Sequence, residues 1–334
     1  DNVIDATPYF LEENKQQALG ERRVGLGVMG LADLLIYCEK EYGSEEGNKL
    51  VDEVFKTIAV AAYEESIELS KERGSFPFLQ GMNDEETKRL RIAFTNTGFM
   101  KKMPEHIRKG VLEHGIRNSH LLTVAPTGST GTMVGVATGL EPYFSFSYYR
   151  SGRLGKFMEV KAEIVQEYLA AHPEADENNL PHWFKSAMEL SPEAHADVQC
   201  VIQKWIDSSI SKTVNAPKGY QVEQVQKVYE RLYKGGAKGG TVYVDGSRDT
   251  QVLTLKAEQP TKDEQMEFEE LKQQEETLKR PIVLVDTIAP LDQTKVTIGS
   301  EVGNTCPICR KGTVEELGGC NTCTSCGAQL KCGL

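Results

Sequence analysis

The sequence predicts an α/β body of about 255 residues, then a charged linker, then a small cysteine-rich module. Three observations carry that expectation. Apolar residues recur at helical spacing through much of residues 20–233, broken by only a few short apolar runs of strand length. From about residue 256 large apolar side chains become scarce, and residues 258–280 carry eight acidic and four basic side chains. Six of the eight cysteines lie in the last 29 residues.

The size fits that division, since 334 residues suit about two domains. A content of 39% hydrophobic and 26% charged residues is that of a globular chain and excludes wholesale disorder. The net charge of −11, with no basic block, excludes a generic binder of nucleic acid or of membrane surfaces. No apolar run approaches the ~18 residues of a membrane span, and no signal peptide opens the chain, so a cytoplasmic protein is expected. The first residues are Asp1-Asn2-Val3, without an initiator Met, which reads as a processed chain or a fragment.

Taken in order, segment 20–40 is apolar at helical spacing (Val24, Leu26, Val28, Leu31, Leu34, Leu35). Ser44 starts a second helix, with Glu45 and Glu46 in its positive first turn and Gly74 just past its end. Leu50, Val54, Ile58 and Ala62 form its apolar stripe. Asn83 and Pro104 open shorter helices. His120-Leu-Leu-Thr-Val-Ala125, closed by Pro126, reads as a buried strand. Helices are expected at about 157–171, 182–190 and 221–233. Another has Ser191 as its N-cap and Pro192 as its first residue. Thr241-Val-Tyr-Val244 is a strand closed by Asp245-Gly246. The stretch 256–300 is a solvated linker, with Pro281-Ile-Val-Leu-Val285 a strand candidate or an apolar spot inside it.

Cys306-Pro-Ile-Cys309 and Cys323-Thr-Ser-Cys326 are paired Cys-x-x-Cys knuckles. Two such knuckles present the four thiolates of a tetrahedral structural zinc site, and their spacing fits a zinc ribbon. The alternative is a set of free or disulfide-bonded thiols. Cys320 and Cys332 are left over; a shifted frame would instead use Cys320 and Cys323 as the second knuckle. Mobile thiols beside a cation exchange disulfides readily, which makes the leftover pair a redox-shuttle candidate.

Gly25-Leu-Gly27-Val-Met-Gly30 spells G-x-G-x-x-G, but the residues before it, Gly20-Glu-Arg-Arg-Val24, are too polar for the central strand of a dinucleotide fold. The glycines are expected to let a helix approach a neighbour. Ala125-Pro-Thr-Gly-Ser-Thr-Gly131 follows an apolar strand and is dense in hydroxyls and glycine. Such a loop suits phosphate oxygens, and it lacks the Lys of a P-loop. Pro126, Thr127, Gly128, Ser129 and Thr130 are therefore the candidate phosphate-binding residues, with a plain structural turn as the alternative.

Together these segments resemble the large subunit of ribonucleotide reductases. The resemblance rests on Asp1-Asn-Val-Ile-Asp5, Arg22-Arg-Val-Gly-Leu-Gly-Val-Met-Gly-Leu-Ala-Asp33, Ala125-Pro-Thr-Gly-Ser-Thr130 and the segment Gln203–Asn215. Lys238-Gly-Gly-Thr-Val-Tyr-Val-Asp-Gly-Ser-Arg248 and the cysteine-rich tail resemble the adenosylcobalamin-dependent (class II) branch. Ala237 departs from it, since many relatives of that branch carry Cys there.

The resemblance implies the following. Residues 1–255 are the C-terminal part of the reductase α/β barrel, 256–300 the linker and 301–334 a zinc-ribbon redox tail. The loop Pro126–Thr130 holds the phosphate of a ribonucleotide substrate. Cys306, Cys309, Cys323 and Cys326 hold zinc, and Cys320 and Cys332 relay reducing equivalents from a thioredoxin-like reductant. A linker of about 45 residues spans roughly 35–40 Å, which gives the tail its reach. The radical-bearing cysteine and the reducing pair of this family lie upstream of Asp1–Asp5, so the chain is expected to be inactive without an N-terminal reductase part. Adenosylcobalamin belongs to the whole enzyme, a homodimer without membrane or nucleic-acid partners. The competing reading is a zinc-ribbon binding module on an unrelated helical domain. Residues 301–334 carry three acidic and three basic side chains, and so no basic footprint for it. A dehydrogenase with a structural zinc would rest on Gly25–Gly30 alone.

Overall fold

The computed structural model describes residues 1–152, 155–176, 179–247, 253–254, 299–317 and 320–332. The chain divides into two compact units, Asp1–Gln259 and Pro260–Leu334. Most of the expected linker, including Pro281–Val285, lies outside the described residues.

In the first unit the helices are α1 (Asn2–Ala6), α2 (Glu12–Glu21), α3 (Leu31–Tyr37), α4 (Glu45–Arg73), α5 (Asp84–Thr95), α6 (Glu105–His114), α7 (Gly128–Met133), α8 (Glu163–Ala171), α9 (Pro192–Gln203) and α10 (Val222–Lys234). Its strands are β1 (Ser147–Gly152), β2 (Gly155–Lys161), β3 (Thr213–Ala216), β4 (Thr241–Val244) and β5 (Leu253–Thr254). The sequence marks several helix starts through side chains that accept from the first turn's orphan N–H groups. Ser44 Oγ accepts from Gly47 N at 3.0 Å, Asn83 Oδ1 from Glu86 N at 2.9 Å, and Ser191 Oγ from Ala194 N at 3.1 Å. Gly74, at φ +80°, closes α4. The buried stripe of α4 is Val51, Phe55, Ala59 and Tyr63; the expected Leu50, Val54, Ile58 and Ala62 flank it, half-buried.

Four extended segments run parallel in chain order. Leu26 bridges Leu122, Val124 bridges Ile210, and β3 pairs with β4 from Thr213↔Thr241 to Ala216↔Val244. Backbone bonds extend the pairing, with Leu26 N donating to Leu121 O (2.8 Å), Thr123 N to Leu26 O (2.9 Å) and Ser211 N to Val124 O (3.0 Å). Helices α3–α6, α7–α9 and α10 fill the three crossovers, as parallel pairing requires. Leu122, Val124, Ile210, Val214 and Ala216 are buried on one face. There the strands meet Val51, Phe55 and Tyr63 of α4, Ile107 and Val111 of α6, and Val198 and Ile202 of α9 in the main core and its satellite cluster. The opposite face is less covered among the described residues: Leu26 is 56% exposed, and Thr123, Ser209, Ser211 and Thr213 are half-buried or exposed, while Leu121 at its amino end is buried. The described strands do not close into a barrel.

Three local expectations are corrected. Residues 24–27 are extended, not helical, and their glycines serve strand pairing: a Cβ on Gly27 would lie 2.7 Å from Thr123 O. Residues 155–161 form β2, whose partner β1 pairs with it antiparallel (Tyr148↔Val160), so the helix begins only at Glu163. Residues 182–190 are turns. Ala187 N donates to the distant Tyr143 O (2.7 Å), and Ser186 N to Glu189 Oε2 (2.8 Å), so local helical bonding loses both donors.

The second unit contains a three-stranded antiparallel sheet, β6 (Val314–Leu317), β7 (Cys320–Cys323) and β8 (Gln329–Cys332), in the order β6-β7-β8.

Candidate phosphate loop and four-sulfur centre

The loop Pro126–Thr130 leaves the carboxyl end of the extended segment 121–124 and opens α7. Ligands of open α/β sheets bind at such carboxyl ends. Pro126, Gly128, Ser129 and Thr130 are exposed and Thr127 is half-buried. Thr127 adopts left-handed backbone (φ 48°, ψ 29°), an uncommon conformation for a residue with a branched Cβ, and it caps the helix. The N–H groups of Gly128, Ser129 and Thr130 open α7, ahead of the first intrahelical bond, Gly131 N to Thr127 O at 2.7 Å. A Cβ on Gly128 would meet nothing within 4 Å.

Two features that hold this loop were missed by the sequence reading. Gly139 N donates to Thr127 Oγ1 at 2.7 Å, tying the return limb of the loop to its start. Gly139 lies at φ +54°, and a Cβ there would sit 2.9 Å from Ala125 O. Asp33, buried, accepts from Ala137 N at 2.8 Å, while Gly30 N donates to Ala137 O at 2.8 Å. The Gly25–Asp33 motif therefore grips the segment that follows α7. At the amino ends of the same strands a separate cavity of about 530 Å³ is lined by Arg23, His120, Thr123, Ser208 and Lys238 among others.

In the second unit the Sγ atoms of Cys306, Cys309, Cys323 and Cys326 all lie within 4.8 Å of one another. Cys306 and Cys326 are 3.8 Å apart and Cys309 and Cys323 are 3.6 Å apart. A tetrahedron with metal–sulfur bonds of about 2.3 Å has edges of about 3.8 Å, so this donor set could hold a metal ion. Backbone N–H groups point at the sulfurs: Ile308 N at Cys306 (3.4 Å), Gly312 N at Cys309 (3.5 Å) and Ser325 N at Cys323 (3.4 Å). The N–H groups of Gly312 and Lys311 pull the Cys309 thiol down to about 6. Gly312 is required by space, since a Cβ there would lie 2.5 Å from Cys323 Sγ. Cys320 stands outside the cluster. It is disulfide-bonded, and its Cα partner across the β7–β8 ladder is Cys332.

Residues 1–243 match the family model for the barrel domain of ribonucleotide reductase. The chain belongs to this family. It is 31% identical over 278 residues to a vitamin B12-dependent ribonucleoside-diphosphate reductase of Mycobacterium tuberculosis, covering 78% of this chain and 36% of that protein. It is 30% identical over 289 residues to the protein of the same name from Thermoplasma acidophilum, covering 81% and 34%. Against the ribonucleoside-diphosphate reductase subunit alpha of Chlamydia muridarum the identity is 27% over 285 residues, covering 75% and 27%. The chain thus spans about a third of the length of the curated relatives it matches.

Two reductase-like segments of the sequence meet in the structure. The buried Arg22 binds Asp1 (Nε–Oδ1, 2.9 Å) and Asp5 (Nη1–Oδ1, 2.9 Å), and Arg117 Nε binds Asp1 Oδ2 at 2.8 Å. Asn118 Nδ2 donates to Arg22 O at 2.8 Å, so the knot ties Asp1–Asp5 to the entry of the first parallel segment. Among the described residues no helix is long and apolar enough to cross a membrane.

Proposed function

We propose that this chain is the substrate-phosphate and thiol-relay part of a vitamin B12-dependent ribonucleotide reductase. On this reading Pro126–Thr130 holds the phosphate of a ribonucleoside diphosphate through the N–H groups of Gly128, Ser129 and Thr130 and the nearby hydroxyls. The single observation that carries it is the loop's place, at the carboxyl end of a parallel strand within a reductase barrel-domain match. The less covered face of the parallel layer supports a further reductase part, since parallel sheets are ordinarily covered on both sides. That part would complete the barrel and supply the radical cysteine. Residues 1–255, 256–300 and 301–334 are then barrel part, linker and tail.

Reduction at C2′ takes two electrons and two protons from a pair of thiols, which become a disulfide. A second dithiol restores the pair by exchange and becomes a disulfide itself; a thioredoxin-like reductant then reopens it. We assign that second dithiol to Cys320 and Cys332. The disulfide at Cys320 is the oxidised form through which such a relay passes. Cys306, Cys309, Cys323 and Cys326 would hold zinc, which fixes the tail's fold and takes no electrons. Adenosylcobalamin supplies radical generation in the whole enzyme; no residue of this chain is assigned to hold it, and no step here runs through it. Homodimerisation and a cytoplasmic place belong to the same whole-enzyme reading.

The test is Gly128→Val in the complete reductase. The site has open space for the side chain, so the fold should hold while anion approach is blocked. KM for a ribonucleoside diphosphate should rise at least ten-fold. An unchanged KM with the fold intact refutes the loop assignment.

A further inference from the structure

Behind the loop lies a buried ionic network that no part of the phosphate reading uses. Lys212 has a fully buried side chain. Its ammonium donates to Glu141 Oε2 (2.7 Å), His195 Nδ1 (3.1 Å) and Thr213 O (2.9 Å), so all three protons are placed. Because Lys212 donates to Nδ1, the proton of His195 sits on Nε2 and donates to Ala187 O at 3.0 Å. The second oxygen of Glu141 accepts from Thr213 N at 2.6 Å. Tyr42 lays its ring 5.6 Å from the Lys212 ammonium and donates its hydroxyl to Leu140 O at 2.6 Å.

A buried ion pair is seldom retained for stability, because an apolar pair of similar volume packs as well. What this one adds is direction. Its bonds converge on Leu140 and Glu141, the end of the loop's return limb. Two residues earlier, Gly139 lies so close to the outgoing limb that a Cβ there would sit 2.9 Å from Ala125 O, and its N–H donates to Thr127 Oγ1. The path from the Lys212 ammonium to the residue that caps α7 is therefore one short, fully bonded stretch of chain.

We propose that Glu141 and Lys212 are positioning residues that hold the phosphate loop in its binding geometry, with Tyr42 and His195 as their supports. The inference rests on the loop being the phosphate site. It predicts that loosening the network raises KM and spares most of kcat. A merely structural loss would shrink the active fraction, and so kcat, and leave KM in place.

The experiment compares the complete reductase with its Glu141→Leu/Lys212→Met variant, which removes both charges together and leaves neither stranded. With ribonucleoside diphosphate as substrate, KM should rise at least ten-fold while kcat falls less than three-fold. The amides of Gly131 and Gly139 should exchange hydrogen at least ten-fold faster. If the double variant does not fold, Tyr42→Phe decides: it keeps the ring and removes the bond to Leu140 O, and should raise KM about three-fold. An unchanged KM in the deciding variant, beside a raised KM in Gly128→Val, overturns this inference alone. An unchanged KM in Gly128→Val overturns the loop assignment, and this inference with it.

Discussion

Replacing Cys306 by Ser should empty the four-sulfur centre and unfold the tail, whereas replacing Cys320 should do neither. Cys306 is buried, and its sulfur lies 3.8 Å from that of Cys326, close to the ~3.8 Å edge of a tetrahedral Zn–S₄ site. The described core of this unit is small: Cys306, Val314 and Cys323 are buried, with Cys309, Ala328 and Leu330 packed against them. A core of that size supplies only a few kcal/mol, while structural zinc contributes about 10–16 kcal/mol to the folding of such modules. Losing one thiolate of four removes a large part of that term, which exceeds what the apolar core can offset. The assay is zinc content by elemental analysis of the purified full chain, with hydrogen exchange across residues 299–332. Cys306→Ser should carry less than a tenth of the wild-type zinc, with protection lost at the amides of β6 and β7. Cys320→Ser should keep its zinc and, in the complete reductase, lose turnover driven by thioredoxin while retaining turnover with a small dithiol. Zinc lost from Cys320→Ser would refute the ligand assignment in favour of the shifted frame, and zinc kept in Cys306→Ser would refute both frames. Unchanged thioredoxin-driven turnover would refute the relay.

Two further outcomes follow from single residues. Burial and the adjacent Lys212 ammonium push His195 from 6.5 down to about 3, so the folded state holds it neutral where the unfolded chain takes up a proton. Its contribution is complete above pH 6.5 and is lost as the pH falls from 6.5 towards about 3, at up to about 1.4 kcal/mol per pH unit; urea unfolding across that window should show a shallower decline for His195→Gln, and an identical slope would refute it. Gly139→Ala should cost about 1–3 kcal/mol in the same assay, because it places a Cβ on left-handed backbone 2.9 Å from Ala125 O.

The elements legible in the sequence are those whose cause is local. Ser44, Asn83 and Ser191 cap helices through bonds to a residue three positions on, so their signal fits within one turn. The strand at residues 155–161 fails that condition. Its partner is β1, and the pairing outweighs the helical reading of its own side-chain pattern. Residues 182–190 fail it as well, because Ala187 spends its N–H on Tyr143, 44 positions back in sequence. The extended segment 24–27 was hidden by its polar approach, Glu21-Arg22-Arg23. Those residues do not form a strand face: Arg22 is drawn into the ionic knot with Asp1 and Asp5.

The same division runs through the candidate site. Pro126–Thr130 stands out as a candidate because an apolar run ending in hydroxyls and glycine is a contiguous pattern, and the four knuckle cysteines do because their spacing encodes a shared point, where their sulfurs meet. Gly139, Glu141 and Lys212 give no such pattern. Glu141 reaches Thr213 across 72 positions, and each residue alone looks like an ordinary loop or surface residue. A loop that binds an anion through its own backbone must leave those N–H groups unspent, so it cannot also use them to fix its shape. The shape then has to be imposed from behind, by groups whose bonds point at the loop's ends. On the proposed reading those groups are the Asp33 carboxylate at Ala137, the Tyr42 hydroxyl at Leu140 and the Lys212 ammonium at Glu141. If the loop is the phosphate site, the part that touches ligand is readable from its sequence, and the part that sets its geometry is distributed through the fold.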